Sequence, residues 1–136
     1  MRALISRLPL VALVALVILA GCSQVGVSTP VELTEFIDEL KANGVDGSLF
    51  VRAPFNADME YVAEYTIARY ASTRVITLFK FKDAEKAGAG LHEALNNDKL
   101  SGQASNATFV MAATFYPPDN EAVEKIKALF LAYKFD

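Results

Sequence analysis

An apolar run near the start divides this chain and limits what either part can become. Leu8 to Ala20 (LPLVALVALVILA) holds 13 residues without a charge, Arg2 and Arg7 flank its beginning, and Gly21-Cys22-Ser23-Gln24 closes it. A helix crossing ~30 Å of hydrocarbon at 1.5 Å per residue needs about 20 apolar residues, so the run falls short of a span. It has the length of a secretory h-region, roughly 7 to 15 residues. A lasting transmembrane anchor is the competing reading. The expected partition is 1–21 as signal peptide, 22–29 as tether and 30–136 as one small domain.

Leu19-Ala20-Gly21-Cys22 resembles the lipobox of bacterial lipoproteins, Leu-(Ala/Ser)-(Gly/Ala)-Cys, at all four positions. The resemblance implies cleavage between Gly21 and Cys22 and an S-diacylglyceryl group on the Cys22 thiol. It also implies, as in many Gram-negative members, an N-acyl chain such as palmitate on the new amine. One acyl chain, at about 0.8 kcal/mol per buried CH₂, holds a bilayer only marginally, whereas two or three anchor stably. Ser23 stands where an aspartate would signal inner-membrane retention, so the resemblance points to the periplasmic face of the cell outer membrane. In a single-membrane organism it points to the outer face of the plasma membrane. Cys22 is the only cysteine, which excludes an internal disulfide and leaves no stray thiol once it is alkylated.

From Cys22 onward, 11 basic side chains stand against 16 acidic ones, a formal charge of -5. No basic stripe is present to neutralise phosphates, which argues against a nucleic-acid partner. Ser23 to Thr29 is small and polar and reaches at most ~25 Å if extended, so the domain is expected to sit close to lipid.

Thr29-Pro30-Val31-Glu32 reads as a helix start with Thr29 as N-cap and Glu32 closing a capping box. Leu33, Phe36, Ile37 and Leu40 then recur at helical spacing until Asn43-Gly44. Ser48 to Arg52 is a strand candidate, and Arg74 to Lys82 (RVITLFKFK) a clear one. Residues 59–70 fit either a helix or the first arm of a hairpin; their β-branched and aromatic content and the small residues Ala71-Ser72-Thr73 favour the hairpin. Asp83 caps a helix whose Ala84, Ala87, Gly88, Leu91 and Leu95 share a face. Asn96 to Ser105 reads as a polar loop, and Asn106 to Tyr116 (NATFVMAATFY), bounded by Pro117-Pro118, as a central strand buried on both faces. Asp119 caps a last helix with Ala122, Val123, Ile126, Phe130 and Tyr133 inward. The order α-β-β-β-α-β-α predicts an α+β fold, a small two-layer sandwich with a ferredoxin-like arrangement as nearest common architecture. If 59–70 is a helix, the alternative is a three-stranded α/β sheet with parallel crossovers.

No catalytic grouping stands out. His92 is the only histidine, lies mid-helix and lacks the companions that a zinc site needs. Gly88-Ala89-Gly90-Leu91-His92-Glu93 begins like a dinucleotide fingerprint, but Glu93 replaces the third glycine and the motif lies inside a helix. Asn106-Ala107-Thr108 matches a glycosylation sequon of low specificity. Lys80 and Lys82, beside Arg74, read as a solvated strand face. Tyr61, Tyr65 and Tyr70 are the candidate ligand or partner surface, weighed against packing in the core or at an edge. Catalytic residues, metal ligands and cofactor are therefore none. The expected function is that of a non-enzymatic, lipid-anchored envelope lipoprotein that binds another envelope protein or supports an assembly. The alternative is a lipoprotein that binds a small apolar or aromatic ligand.

Overall fold

The computed structural model describes residues 29–67 and 71–135; the signal segment, Cys22 and Tyr70 lie outside the described residues. The chain runs α1 (Val31–Ala42), β1 (Gly47–Arg52), β2 (Met59–Ile67), β3 (Thr73–Phe81), α2 (Ala84–Leu95), β4 (Ser101–Asn106), β5 (Phe109–Tyr116) and α3 (Asn120–Ala132). The five strands form one sheet in the order β1-β2-β3-β5-β4, antiparallel at every neighbouring pair. The protein is thus mixed α+β. The expected element order is corrected by one strand, because 101–105, read as loop, belong to β4 (Ser101–Asn106). The alternative three-stranded sheet with parallel crossovers does not form, since residues 59–67 are a strand paired on both sides.

Alternation along β2 and β3 sorts the sheet into two faces. Tyr61, Ala63 and Tyr65 of β2, Ile76 and Leu78 of β3, and Phe109, Met111 and Ala113 of β5 point to one side. There they meet Leu33, Phe36 and Leu40 of α1 and Val123, Ile126 and Phe130 of α3, which together form the main core. On the opposite face α2 covers one end only, packing Ala87 against Phe81 and Val110, with Met59, Phe79, Leu91 and Ala94 around them. β5 is therefore buried on both sides from Phe109 to Ala113, as its unbroken apolar run requires.

Helix α1 ends as its sequence predicts and begins differently. Gly44 adopts φ 85°, its N–H donates to the Lys41 carbonyl at 3.0 Å, and that of Val45 donates to Leu40 at 2.9 Å, the paired bonds of a Schellman cap. At the start, however, the helix begins after Pro30 and no side chain caps it. Glu32 closes no capping box, because its carboxylate accepts a hydrogen bond from the Tyr61 hydroxyl at 2.8 Å. Asp83 and Asp119 do cap α2 and α3, accepting from the backbone N–H groups of Lys86 at 2.8 Å and Ala122 at 3.1 Å.

Strand β4 exists because β5 offers it a ladder and two helices flank it. Ala104 faces the main core, while the Gln103 amide on the other side donates to the carbonyls of Ala94, Asn97 and Leu100 at 3.2, 3.3 and 3.1 Å, satisfying the end of α2 and the loop after it. Gly102, at φ 61°, allows the bulge between Ser101 and Ala104. Ala107-Thr108 then joins β4 to β5 as a two-residue turn, with Ala107 at φ 54°. Asn106 is the last residue of β4 and not the start of the central strand. Its side-chain amide donates to the carbonyls of Phe130 and Tyr133 at 2.8 and 2.6 Å, tying the hairpin to the end of α3.

Candidate functional site

The tyrosines singled out from the sequence are split by the structure. Tyr61 and Tyr65 sit on the face beneath α1 and α3, at 9% and 0% exposure, so both rings belong to the core. Packing overrides the reading of the pair as an open surface, because on β2 these alternate positions face the helices. Their hydroxyls are satisfied internally: Tyr61 donates to Glu32, and Tyr65 donates to the Val45 carbonyl at 2.7 Å. Both pKa values are raised above the ordinary tyrosine range. For Tyr61, burial dominates, followed by the hydrogen bond to Glu32 and the negative charges of Glu32 and Glu60. For Tyr65, burial dominates and the charge of Asp46 adds to it.

A proton held more tightly in the folded chain makes stability depend on pH in one direction. The two hydroxyls contribute fully below the unfolded tyrosine value near 10; above it the unfolded chain ionises first and stability falls, by up to ~1.4 kcal/mol per pH unit for each. Urea midpoints measured from pH 8 to 12 should therefore decline more steeply in the wild-type chain than in Tyr61→Phe. Equal slopes would remove the assignment.

The other sequence candidates take structural places. His92 is exposed on α2. Lys80 is half-buried, hydrogen-bonded to Thr108 Oγ1 and placed over the Phe109 ring at 5.0 Å, and Arg74 pairs with Asp119 at 2.8 Å above Phe115. These two line the ends of the helix-covered face of a central strand and are not a solvated edge. Within α2, the inward face is Ala87, Gly90, Leu91 and Ala94; Gly88 is exposed and Leu95 is 57% exposed, a rotation from the expected face. Gly90 is the residue that lets α2 approach, since a Cβ there would enter the Phe81 ring.

Two of the concavities among the described residues lie beside these groups. One, about 500 Å³, lies between the α1–β1 loop and the start of α3, and three of its charged side chains are engaged within the chain. Arg74 binds Asp119, and Lys125 donates to the Asn43 carbonyl at 2.8 Å. The smaller, about 380 Å³, runs between α2 and the loop 53–58. Its floor is Met59, Phe79 and Phe81, its wall Ala89, Gly90 and Ala94, and Phe55, 61% exposed, stands at its lip against Phe79 at 6.2 Å. Polar groups sit at the rim, where Lys86 lies 4.0 Å from Asp58 and 3.8 Å from Asp83. An apolar floor with a few polar rim groups is the usual construction of a small-ligand pocket.

Beyond the groove no helix among the described residues covers the same sheet face. Cross-strand rows place Ser48, Thr66, Val75 and Thr114 side by side, and Phe50 beside Glu64 and Thr77. Phe50 and Tyr116 are 52% and 75% exposed there. Sequence reasoning missed this face and the groove, because neither is visible until it is known that α2 covers only one end of the sheet. Among the described residues, no helix is long and apolar enough to cross a membrane, and no group of three or more His, Cys, Asp or Glu is placed to hold a metal ion. Comparison of the chain with family models, with curated proteins and with solved structures finds no match.

Proposed function

We propose that this chain is a lipid-anchored envelope lipoprotein whose small α+β domain works by binding, not by catalysis, and engages another envelope component through the open sheet face. The anchor half of the reading rests on Leu19-Ala20-Gly21-Cys22 standing only seven residues, Cys22 to Ser28, before the described domain. The binding half is carried by one observation: a sheet face covered by a helix at one end only, with Phe50 and Tyr116 presented to solvent on the rest. Localisation to the periplasmic leaflet of the outer membrane follows from Ser23 after the modified cysteine. The ferredoxin-like reading is supported over half of the sheet, where β3 and β4 flank β5 and are joined through α2 as a split βαβ unit.

The test is to express the full chain and its Cys22→Ala variant in a diderm bacterium, separate the membranes and take intact masses. Expected is residues 22–136 plus two or three acyl chains in the outer-membrane fraction, lost in the variant. A product retaining residues 1–21 without acylation would overturn the anchor. A second reading, a small apolar or aromatic ligand, is favoured by the groove under Phe55. It expects the thermal midpoint of the domain to rise with such ligands by mass action on the folded state.

A further inference from the structure

The chain enters the described domain at one end of the sheet, and that end is apolar. The register brings Arg52, Met59, Phe81, Asn106 and Phe109 to it. α1 starts there, where Glu32 accepts from Tyr61, and α3 finishes there, where Asn106 holds the carbonyls of Phe130 and Tyr133. The loop 53–58 and the turn Ala107-Thr108 close it, and neither Ala53 to Ala57 nor the turn carries a charge. Three of the six exposed large apolar side chains among the described residues stand at this end: Val31, 74% exposed, at the first residue of α1, Phe55 in the loop and Leu131 in the last turn of α3. The outward faces of α1 and α3 differ from it, because Glu35, Asp38, Glu39, Glu121 and Glu124 outnumber Lys41, Lys125 and Lys127.

We infer that this end of the domain rests on a lipid surface: Val31, Phe55 and Leu131 enter the headgroup region of the leaflet that holds Cys22. The inference rests on the anchor reading and adds an orientation to it. The seven residues Cys22 to Ser28 span at most ~25 Å, and about 15 Å on average as a flexible coil. They join the domain beside Val31, so the acylated end is held near the apolar end of the sheet. The opposite end, with Thr73 and Tyr116, lies ~30 Å farther along β3. Two other faces compete for the leaflet. The flank of α1 and α3 is acidic, which anionic headgroups repel. The open sheet face sets Phe50 and Tyr116 among Ser48, Thr66, Thr77 and Thr114, and it lies across the sheet from the helix that the tether enters. Side chains in the loop, the helix start and the helix end instead reach the ~5–10 Å depth at which interfacial apolar groups settle. This orientation stands the open sheet face upright beside the leaflet, accessible to an envelope partner.

The chain has no tryptophan, so a single introduced indole reports only its own surroundings. The full chain is expressed in a diderm bacterium, its intact mass is taken, and it is reconstituted in vesicles of phosphatidylethanolamine and phosphatidylglycerol with or without bromine on the acyl chains. Val31→Trp, Phe55→Trp and Leu131→Trp should each shift their emission to the blue on reconstitution and lose intensity in the brominated vesicles. Tyr116→Trp at the far end and Glu124→Trp on the acidic flank should do neither. All five sites are exposed, so no substitution disturbs core packing. Quenching at Tyr116→Trp or Glu124→Trp equal to that at Val31→Trp overturns the orientation, because the domain then lies on its side or tumbles. Loss of quenching at both Phe55→Trp and Leu131→Trp overturns it as well, since the tether alone accounts for Val31. A product without acyl chains removes the anchor and the orientation together, whereas acyl chains present with the wrong quenching pattern overturn the orientation alone, so the mass separates the two failures.

Discussion

Phe109→Ala should destabilise the domain by about 4 kcal/mol, a large share of the ~5–15 kcal/mol expected of a chain this size. The ring is 1% exposed at the start of β5, where backbone pairing to β3 and β4 prevents collapse around a void. It packs against Phe135 at 4.4 Å and Tyr61 at 6.3 Å between ring centroids and lies beneath the Lys80 ammonium at 5.0 Å. Truncation removes the transfer term, opens a cavity and takes the ring from beneath a half-buried cation. Phe135→Ala offers the internal comparison. That ring is almost as buried, at 8%, and touches Phe36, Phe130 and Tyr133 as well, but it is held on a short segment after α3 that can move into the vacated space. Its loss should therefore amount to about 2–3 kcal/mol. Urea denaturation of both variants decides the order; a Phe135→Ala loss equal to or above that of Phe109→Ala would mean that the aromatic cluster is organised from its terminal segment.

The elements read well where local chemistry and burial agree, and poorly where the reason for an element lies elsewhere in the fold. Leu33, Phe36, Ile37 and Leu40 form the buried face of α1 because their spacing matches the helical period, and Asp83 and Asp119 cap because one carboxylate oxygen of each stays on the helix start while the other meets Lys86 or Arg74. Glu32 has such a competitor, a tyrosine hydroxyl 29 positions away, and so the predicted capping box is absent. β4 (SGQASN) has no β-branched or aromatic residue, and its turn Ala107-Thr108 lacks the glycine that marks tight hairpins. Only the free edge of β5 and the helix-end carbonyls that Gln103 satisfies make it a strand. The burial of Tyr61 and Tyr65 was illegible for the same kind of reason. Alternation groups Tyr61 with Tyr65, but which face receives two helices and which receives part of one is decided by connections between elements, and that choice buried the pair and exposed Phe50 and Tyr116.

Gly90 and Gly88 lie two residues apart on one exposed-to-buried helix and should respond to the same substitution with opposite signs. At Gly88 a Cβ would meet nothing within 4 Å, so Gly88→Ala should gain roughly 0.5–1 kcal/mol from helix propensity alone. At Gly90 the same methyl group overlaps the tip of the Phe81 ring, itself 5% exposed and packed against Ala87 and Val110. The propensity gain is then set against an overpacking penalty of about 1–3 kcal/mol, so Gly90→Ala should be neutral to destabilising, and Gly90→Val, with a branched Cβ, should lose about 3 kcal/mol. The two positions also separate stability from binding. Gly90 and Phe81 line the groove between α2 and the loop 53–58, so forcing them apart reshapes its floor, whereas Gly88 is not part of its lining. If the groove takes an aromatic ligand, the ligand-induced rise in thermal midpoint should survive Gly88→Ala and be lost in Gly90→Val measured below its own melting range. Retention in both would move the binding site off the groove, and the double variant Gly90→Ala/Phe81→Leu, which restores room for the methyl group, should recover stability whether or not it recovers binding.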